Sequence, residues 1–357
     1  MKKLLLLIVL LFPINVLAIS ASSSIVMDLD NGRILYAHNI DDKRLIASTT
    51  KIMTCIIAIE NGNLLDEVIV GEEVLKAYGS AIYVEIGEIL TLKDLLMGLM
   101  LRSGNDAALV IAKKIAGSNE NFVMMMNEMA QKIGMKNTYF YNPHGLEESS
   151  GSGNTSTAYD MALLTKYAMQ NKTFREIFRT KKYHVSTNYK TYNWTNKNKL
   201  LGRYDFITGG KTGYTKKAHR TLVTTASQNN INLVVVTLDD ANDFQDHITL
   251  YKDILKKYEA IKVLDKNIRI RNDSKYTKYQ LYIDKEVYIP VLPREKKEIN
   301  LEYKLYDNIS IIDGSLVGYV NIFIGDSLIK TENIYVSIPS KKENKTWWQK
   351  LFGWLKW

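Results

Sequence analysis

Cysteine is nearly absent from this sequence of 357 residues, in which Cys55 stands alone. A single cysteine cannot form an intrachain disulfide, so a hydrophobic core has to stabilise the fold. The residues around Cys55 are apolar, namely Ile52, Met53, Ile56 and Ile57. This setting predicts a buried structural thiol and not a nucleophile or a metal ligand.

Histidine is also scarce, and its spacing matches none of the common metal-site patterns. The five histidines are His38, His144, His184, His219 and His247. Because they lack the spacing of a zinc motif, a metallopeptidase is disfavoured, and the sequence predicts neither a metal nor a cofactor. The Gly-x-Ser-x-Gly motif that places a serine nucleophile on a strand-to-helix turn is missing as well.

Long apolar runs are missing except at the N-terminus. A lysine pair precedes the apolar run Leu4–Phe12, and Val16-Leu17-Ala18 supplies a cleavage site. This pattern predicts an exported protein with a signal peptide over residues 1–18. The alternative is an uncleaved anchor, which the short run disfavours. A cut after Ser20 also fits the small-residue rule.

The charge balance is basic, with 47 lysines and arginines, 38 acidic residues and a formal net charge of +9. Basic proteins can bind nucleic acid, but the sequence contains no nucleic-acid-binding motif. For an exported chain, anionic lipid and wall polymers are the expected partners, and nucleic acid is not.

Apolar periodicity and turn residues predict the organisation of the remaining chain. Residues 19–258 open with a β-hairpin, continue with buried helices that begin near Ser48, and return to strands around Lys211 before a last helix. Strands, helices and strands in this order predict a mixed α/β domain. Over residues 259–339 short strand patterns alternate with turn signals, which predicts a small all-β domain.

Residues 340–357 have a different composition. Lys341 to Trp357 contains five lysines, one glutamate and four tryptophans. At about 100° per residue the apolar side chains share one face of a helix; they are Trp347, Trp348, Leu351, Phe352, Trp354 and Leu355. The pattern predicts an amphipathic helix that anchors the chain to an anionic membrane surface. Docking of this helix onto the protein is the alternative.

Three short motifs are candidates for the chemistry. They are Ser48-Thr49-Thr50-Lys51, Ser103-Gly104-Asn105 and Lys211-Thr212-Gly213. Ser-x-x-Lys and Ser-x-Asn recur elsewhere in the chain, whereas Lys-Thr-Gly occurs once. The order, the spacing and the structural context of the three motifs are therefore more informative than any one motif.

The first motif pairs a hydroxyl with an amine. Lys51 follows Ser48 by one helical turn and lies on the same face. A serine hydroxyl needs a base, and a neutral lysine amine can serve if burial and the second cation, Lys211, lower its pKa from about 10.4. The alternative is an N-cap serine and a lysine that extends to solvent, which so apolar a helix disfavours.

The other two motifs suit a peptide substrate that ends in a carboxylate. Ser103 and Asn105 lie between two apolar helices, where a hydroxyl can relay a proton and an amide can bind a peptide group; helix capping is the alternative. Lys211 and Thr212 on a strand edge can bind a carboxylate, and Gly213 permits close approach to the backbone. A turn is the alternative there, because a glycine pair precedes the motif.

Together the motifs resemble those of the low-molecular-mass penicillin-binding proteins, specifically the serine-type D-alanyl-D-alanine carboxypeptidases. Asn142–Leu146 and Ser156–Ala162 are similar to family segments too. The resemblance covers about residues 21–258, and the later segments fit more loosely. It implies a β-lactamase/transpeptidase-like catalytic domain over residues 19–258, followed by the small all-β domain and the C-terminal amphipathic helix.

The resemblance implies a catalytic role for four residues. Ser48 is the nucleophile that forms the acyl-enzyme, Lys51 is the general base, and Ser103 relays the proton to the leaving D-alanine. The backbone N–H groups of Ser48 and Tyr214 form the oxyanion hole. His144 is then a structural loop residue and not a base.

The resemblance also implies how the substrate is held. Asn105 binds the substrate amide, Lys211 and Thr212 recognise the terminal carboxylate, and Gly213 lies beside them. The implied partners are the peptidoglycan stem peptide and β-lactams as inhibitors; the C-terminal helix adds the anionic membrane surface. The expected location is the outer face of the cytoplasmic membrane, facing the cell wall.

Two departures from the family pattern and three rival functions stay open. Gly210 stands where the family usually has an aliphatic residue, and Ala218-His219-Arg220 replaces an Ala-Gly pair; both bear on substrate preference. A class A β-lactamase would need Ser-Asp-Asn and a deacylating glutamate, and Glu147 and Glu148 lie in a segment that does not resemble that motif. A D,D-endopeptidase that cuts cross-links is the second rival, and a non-enzymatic wall-binding protein is the third.

Overall fold

The computed structural model describes residues 19–148, 151–268, 276, 279–307 and 310–338. The predicted signal peptide and the predicted C-terminal helix lie outside these residues. Contacts divide the chain into two compact units, and the described residues of the first are 19–27, 34–148, 151–226 and 234–253. The second unit holds the remaining described residues. The predicted domain boundaries at residues 258 and 339 stay predictions.

The strands of the described chain follow in sequence order. They are β1 (Ser23–Asp28), β2 (Ile34–His38), β3 (Arg44–Leu45), β4 (Glu67–Ile69), β5 (Ile89–Thr91), β6 (Thr155–Ser156), β7 (Lys182–Ser186), β8 (Thr191–Thr195), β9 (Ile207–Thr215), β10 (His219–Gln228), β11 (Ile231–Asp240), β12 (Glu259–Leu264), β13 (Asn267–Ile268), β14 (Gln280–Tyr282), β15 (Val287–Val291), β16 (Ile299–Leu305), β17 (Leu316–Ile324) and β18 (Ser327–Ser337).

The helices lie between these strands. They are α1 (Lys51–Asn61), α2 (Leu92–Met97), α3 (Asn105–Ala116), α4 (Asn119–Ile133), α5 (Ala158–Ala168), α6 (Lys172–Phe178) and α7 (Asp243–Lys257). Shorter helical turns cover Ala47–Thr50, Glu72–Lys76, Gly98–Arg102, Lys199–Gly202 and Pro293–Glu298. Within the described residues no helix combines the length and the apolar character that crossing a bilayer requires.

The main sheet has five strands in the order β2-β1-β11-β10-β9. The central strand β11 reads Ile-Asn-Leu-Val-Val-Val-Thr-Leu-Asp-Asp and is buried at eight of its ten positions. Side chains on both faces of this strand are therefore covered, as expected for a sheet with layers on two sides. The strand with the third motif, β9, lies at the edge, so one side of its backbone is available to a ligand.

Helix α1 forms the centre of the helical part of this unit. Every residue from Lys51 to Ala58 is buried, including Cys55. Apart from Lys51 and Thr54 these buried residues are apolar and surround the helix axis, which is the pattern of a core helix. The prediction of a buried structural thiol is thus confirmed, and burial raises the pKa of the Cys55 thiol.

The second unit is rich in β-structure. Its larger sheet has the order β13-β14-β18-β17-β16, and β12 pairs with β15. The buried positions form one apolar core, which includes Leu281, Ile283, Val287, Ile289, Val320, Ile322, Ile334 and Val336. A mixed α/β unit and a β-rich unit confirm the predicted fold class, except for the C-terminal helix, which stays a prediction.

Candidate active site

Ser48 lies in the helical turn Ala47–Thr50, which leads directly into α1. Ser48 is partly exposed, whereas the other residues of the turn are buried. Ala47 has a φ of 44°, a left-handed conformation that costs an L-residue of order 1–3 kcal/mol. Gly145 packs closely against this turn, where a Cβ at position 145 would lie 1.9 Å from the Ala47 carbonyl oxygen. The fold therefore presents Ser48 at the surface of a rigid turn.

Lys51 brings the first two motifs together. Its Nζ lies 3.1 Å from Ser48 Oγ, 2.7 Å from Asn105 Oδ1 and 2.6 Å from the His144 carbonyl oxygen. The side chain is completely buried, so solvent cannot substitute for these partners. The predicted alternative of a lysine that extends to solvent is wrong.

The electrostatic setting of Lys51 favours its neutral form. Burial lowers its pKa well below the ordinary value, and the positive charges of Lys211 and Lys197 lower it further. Asp106 acts in the opposite direction but does not offset these effects. An amine in this setting can lose its proton at a much lower pH than a lysine in water.

The second motif is held by local backbone geometry. Ser103 ends the turn Gly98–Arg102 with φ 66° and ψ 34°, a left-handed conformation, and Asn105 begins α3. Asn105 donates from Nδ2 to the Tyr78 carbonyl oxygen at 2.5 Å, and its backbone N–H donates to the Ser80 carbonyl oxygen at 2.7 Å. These two contacts fix the side-chain amide so that Oδ1 faces Lys51.

The third motif reaches the second through its lysine. Lys211 Nζ donates to Ser103 Oγ at 3.1 Å and to the Thr212 carbonyl oxygen at 2.7 Å. Lys211 is almost fully buried. Burial, assisted by the charge of Lys197, lowers its pKa to about 7. Lys211 is therefore a cation whose charge is sensitive to pH near neutrality.

Gly213 brings the edge strand against the nucleophile. A Cβ at this position would lie 2.3 Å from Thr221 Oγ1 and 2.9 Å from the Ser48 backbone nitrogen. Thr221 in turn donates to the Ile46 carbonyl oxygen at 3.1 Å. The close approach of strand and turn therefore needs a residue without a side chain. Tyr214, the next residue, is 62% exposed.

We expect Gly213→Ala to lower stability by about 1–3 kcal/mol, because the added methyl group overpacks this contact. It should also slow acylation by a fluorescent penicillin, since the strand must shift away from Ser48. The matched control is Gly202→Ala, because a Cβ at Gly202 meets no described atom within 4 Å. A Gly213→Ala protein with the parent melting temperature and acylation rate would contradict the steric argument.

Gly210 departs from the family pattern for a steric reason. A Cβ at Gly210 would lie 2.3 Å from Asn198 Nδ2 and 2.9 Å from Thr224 Cγ2. Asn198 is buried and also caps the turn Lys199–Gly202, where its Oδ1 accepts from the Leu200 N–H at 3.1 Å. The space of an aliphatic side chain at position 210 is thus filled by Asn198.

Two further residues contribute to the site, and no role for either was predicted from the sequence. Lys197 is exposed, donates to Ser80 Oγ at 3.1 Å and lowers the pKa of both motif lysines. Asp106 accepts hydrogen bonds from the backbone of residues 82–84 and so holds the loop that carries Ser80. A lysine or aspartate beside a motif is common in any chain, so only the fold reveals these two.

His144 contributes its backbone to the site. Its carbonyl oxygen accepts from Lys51, while its ring Nδ1 accepts from the Leu146 N–H at 3.2 Å. Burial, with the nearby charge of Lys51, lowers the pKa of the ring to about 3. The ring is therefore neutral and engaged within its own loop.

The two candidates for the deacylating glutamate of a β-lactamase are also engaged. Glu147 accepts from the Thr215 hydroxyl at the end of β9. Glu148 accepts from Asn142 Nδ2 at 2.8 Å. Both carboxylates thus hold the loop around His144 in place.

A serine that faces a buried lysine, beside a second lysine on a sheet edge, is the site of a serine hydrolase. The profile of a protein family described as D-alanyl-D-alanine carboxypeptidase matches residues 12–242. The chain belongs to this family and is a low-molecular-mass penicillin-binding protein.

Curated relatives and solved structures agree with this assignment. The chain is 32% identical over 308 residues to D-alanyl-D-alanine carboxypeptidase DacF of Bacillus subtilis, a match that spans 82% of this chain and 78% of that protein. Penicillin binding protein 5 from Haemophilus influenzae superposes with a TM-score of 0.71 at 27% identity, over 90% of this chain and 97% of that chain. The carboxypeptidase DacD from Francisella tularensis gives 0.68 at 25%, over 94% and 96%.

Proposed function

We propose that this enzyme removes the terminal D-alanine from peptidoglycan stem pentapeptides through an acyl-enzyme on Ser48. The contact between Lys51 and Ser48 carries the proposal. A neutral amine has two hydrogens and one lone pair. When it donates to Asn105 Oδ1 and to the His144 carbonyl oxygen, its lone pair is left for the hydroxyl 3.1 Å away.

Acylation then follows from the positions of the three motifs. Ser48 Oγ attacks the carbonyl carbon of the penultimate D-alanine while its proton passes to Lys51 Nζ. The backbone N–H groups of Ser48 and Tyr214 stabilise the oxyanion, a role supported by the close approach of Gly213 to the Ser48 nitrogen. When the C–N bond breaks, the amine of the leaving D-alanine takes a proton through Ser103. Water later hydrolyses the ester and restores Ser48.

Substrate recognition uses the remaining motif residues. Lys211 and Thr212 bind the terminal carboxylate, and Asn105 binds the amide of the substrate backbone. Lys211 has to be protonated for this task, and its contact with Ser103 Oγ joins the carboxylate site to the proton relay. Gly213 leaves room for the substrate beside the exposed edge of β9.

A D,D-endopeptidase with the same site is the second candidate, because the same amide bond occurs in cross-linked peptides. Purified enzyme is incubated with a stem pentapeptide and with a cross-linked dimer at equal concentration. We expect release of D-alanine from the pentapeptide to be the faster reaction. Faster cleavage of the dimer would show that the enzyme is mainly a D,D-endopeptidase that cuts cross-links.

The termini support a proposal about location. Residues 1–18 fit a signal peptide, and residues 340–357 fit an amphipathic helix with clustered tryptophan and lysine. We infer that the protein is exported and held at the outer face of the cytoplasmic membrane. The active site then works where peptidoglycan is available.

Removing Lys341 to Trp357 should release the protein from membranes and leave carboxypeptidase activity intact. The catalytic motifs all precede Tyr214, whereas the tail combines apolar burial with attraction to anionic lipid. The second contribution should weaken as salt rises. Flotation with anionic liposomes at low and high salt measures binding, and hydrolysis of a D-Ala-D-Ala peptide measures activity.

The control for this experiment replaces the tail tryptophans by serine and keeps the lysines. If the truncated protein still floats with the liposomes, another part of the chain is the main anchor. If the truncated protein stays folded but loses peptide hydrolysis, the tail is needed for catalysis and the proposed division of the chain is wrong.

A further inference from the structure

Two buried aspartates outside the active site face the beginning of the described chain. Asp240 ends β11 and Asp246 lies in the first turns of α7, and they are 1% and 5% exposed. Ser20 bridges them. Its hydroxyl lies 2.7 Å from Asp240 Oδ1 and 2.8 Å from Asp246 Oδ2, and its backbone N–H donates to Asp246 Oδ2 at 2.6 Å.

The donors at this cluster do not satisfy the two carboxylates. The Ser20 hydroxyl has one hydrogen for two carboxylate oxygens, and the Asn242 N–H supplies one further donor to Asp240 Oδ1 at 2.9 Å. The Thr237 hydroxyl lowers the pKa of Asp240 through a hydrogen bond, and it also contacts His247 Nε2 at 3.1 Å. Asp240 Oδ2 itself is buried and has no hydrogen-bond partner among the described residues. Because buried carboxylate oxygens are almost always paired, this atom points to a donor that belongs at the site.

The charges around the cluster point to a cation. Asp243 is buried nearby, and Arg220 is the cation that acts on it. Asp246 repels Asp243 as well as Asp240, so the negative charges of three carboxylates lie close together here. Burial, with the repulsion of Asp246, raises the pKa of Asp240 to about 6. One further positive charge would allow both bridged carboxylates to stay ionised.

We propose that Asp240 and Asp246 bind the α-ammonium group that removal of the signal peptide leaves on Ile19. In the unprocessed chain the Ile19 nitrogen is a neutral amide, and cleavage after Ala18 converts it into a cation. About 4.3 Å of backbone bonds separates the nitrogens of Ile19 and Ser20. Because the Ser20 nitrogen already contacts Asp246, the new ammonium group is placed beside the pair. This inference depends on the proposed cleavage and not on the proposed chemistry at Ser48.

The same contacts choose between the two cleavage sites that the sequence leaves open. A cut after Ser20 would remove the N–H and the hydroxyl that bridge the aspartates. A cut after Ala18 keeps both and adds the ammonium. We therefore expect the mature protein exported by a bacterial host to begin at Ile19. Its intact mass and N-terminal sequence test this, and a mature protein that begins at Ala21 would overturn the proposal.

The central experiment compares two forms of the full mature chain. One begins at Ile19, and the other carries Gly-Ser-Gly-Ser before Ile19, which moves the charge away from the aspartates. We expect the form that begins at Ile19 to melt about 1 °C higher, because a single charge pair contributes little and the shift for a given gain in stability is smaller in a longer chain. Equal melting temperatures would overturn the proposal. Penicillin labelling of both forms reports the active site separately.

Aspartate variants test whether the difference arises at this site. Asp240→Asn and Asp246→Asn, each made in both forms, should abolish the difference in melting temperature. The matched control is Asp239→Asn, because Asp239 is already paired with Arg44 and His219; it should lower both forms equally. Two substitutions at the site keep the test usable if one variant fails to fold. A difference that persists in a folded site variant would overturn the assignment.

Two further measurements separate an ammonium ion from other cations. The α-amine of isotopically labelled Ile19 should titrate above the ordinary range of about 7.7–8.0, and Asp246→Asn should return it to that range. An ordinary value in the parent protein would contradict the proposal. Calcium added to the extended form should leave its melting temperature unchanged. If calcium restores the missing stability, the site binds a metal ion and the proposal is wrong.

Discussion

Ser48→Ala should abolish covalent labelling by penicillin without unfolding the protein. The substitution removes the one oxygen that can form the acyl ester, so labelling falls below detection instead of becoming slower. Ser48 is partly exposed, and its hydroxyl contacts Lys51. Removing this hydroxyl should not destabilise the fold strongly, because the buried Lys51 amine keeps its two other acceptors. Gel fluorescence with a labelled penicillin, together with a thermal melt, measures both parts of this expectation.

Two other serines provide the controls. Ser103→Ala should still form the adduct, at a reduced rate. The Ser103 hydroxyl oxygen accepts a hydrogen bond from Lys211 and is not the attacking oxygen. Ser327→Ala should label at the parent rate, because Ser327 begins β18 in the other unit. Mass spectrometry of the digested adduct should place penicillin on the peptide that contains Ser48. An adduct on Ser103 or on Ser327, or a Ser48→Ala protein that labels normally, would refute the assignment of the nucleophile.

The sequence was a good guide where local pattern and global fold agree. The apolar surroundings of Lys51 correctly indicated a core helix, and the alternation of the later segments correctly indicated a β-rich unit. The order of the motifs predicts one site for Ser48, Asn105 and Lys211, and in the structure Lys51 contacts both Ser48 and Asn105. These features depend on periodicity and on residue type, and both can be read directly from the sequence.

Other features depend on contacts between distant segments. The short helix α6 lacks a long periodic pattern, so the sequence gives little sign of it. The replacement of an aliphatic residue at Gly210 becomes intelligible only beside Asn198. A sequence shows which residue types are present, but it does not show which of them fills a space next to another strand.

Lys197 is the clearest case of information that the sequence could not supply. One more lysine in a chain with 47 basic residues carries no signal. Its value lies in its position, because its charge acts on Lys51 and Lys211 at once. Electrostatic coupling of this kind depends on distance and burial, and both appear only in the folded state.

Lys51→Ala should lower the rate of acylation by about 10²–10⁴-fold, which is the usual effect of losing a positioned general base. Lys51→Gln should do the same, because an amide can still donate to its neighbours but has no basic lone pair. The second variant also retains partners for Asn105 Oδ1 and for the His144 carbonyl oxygen, so it controls for lost packing. Stopped-flow labelling with a fluorescent penicillin measures the rate, and circular dichroism verifies the fold.

The pH profile of acylation should identify the same amine. A base acts in its neutral form, so the rate should rise with pH through the lowered pKa of Lys51. Lys211 acts as a cation, so substrate binding should weaken as the pH passes its value of about 7. The expected profile is therefore a bell, with Lys51 on the acid limb and Lys211 on the basic limb.

Lys197→Ala is the variant that distinguishes this mechanism from a structural role of Lys51. Removing the Lys197 charge should raise the pKa of Lys51 and the pKa of Lys211, so both limbs of the bell should move to higher pH. The maximum rate should change little, because Lys197 contacts Ser80 and not Ser48. A folded Lys51→Gln enzyme that acylates at the parent rate would show that the base lies elsewhere. If the two limbs of the pH profile do not move in Lys197→Ala, they arise from the titration of groups other than Lys51 and Lys211.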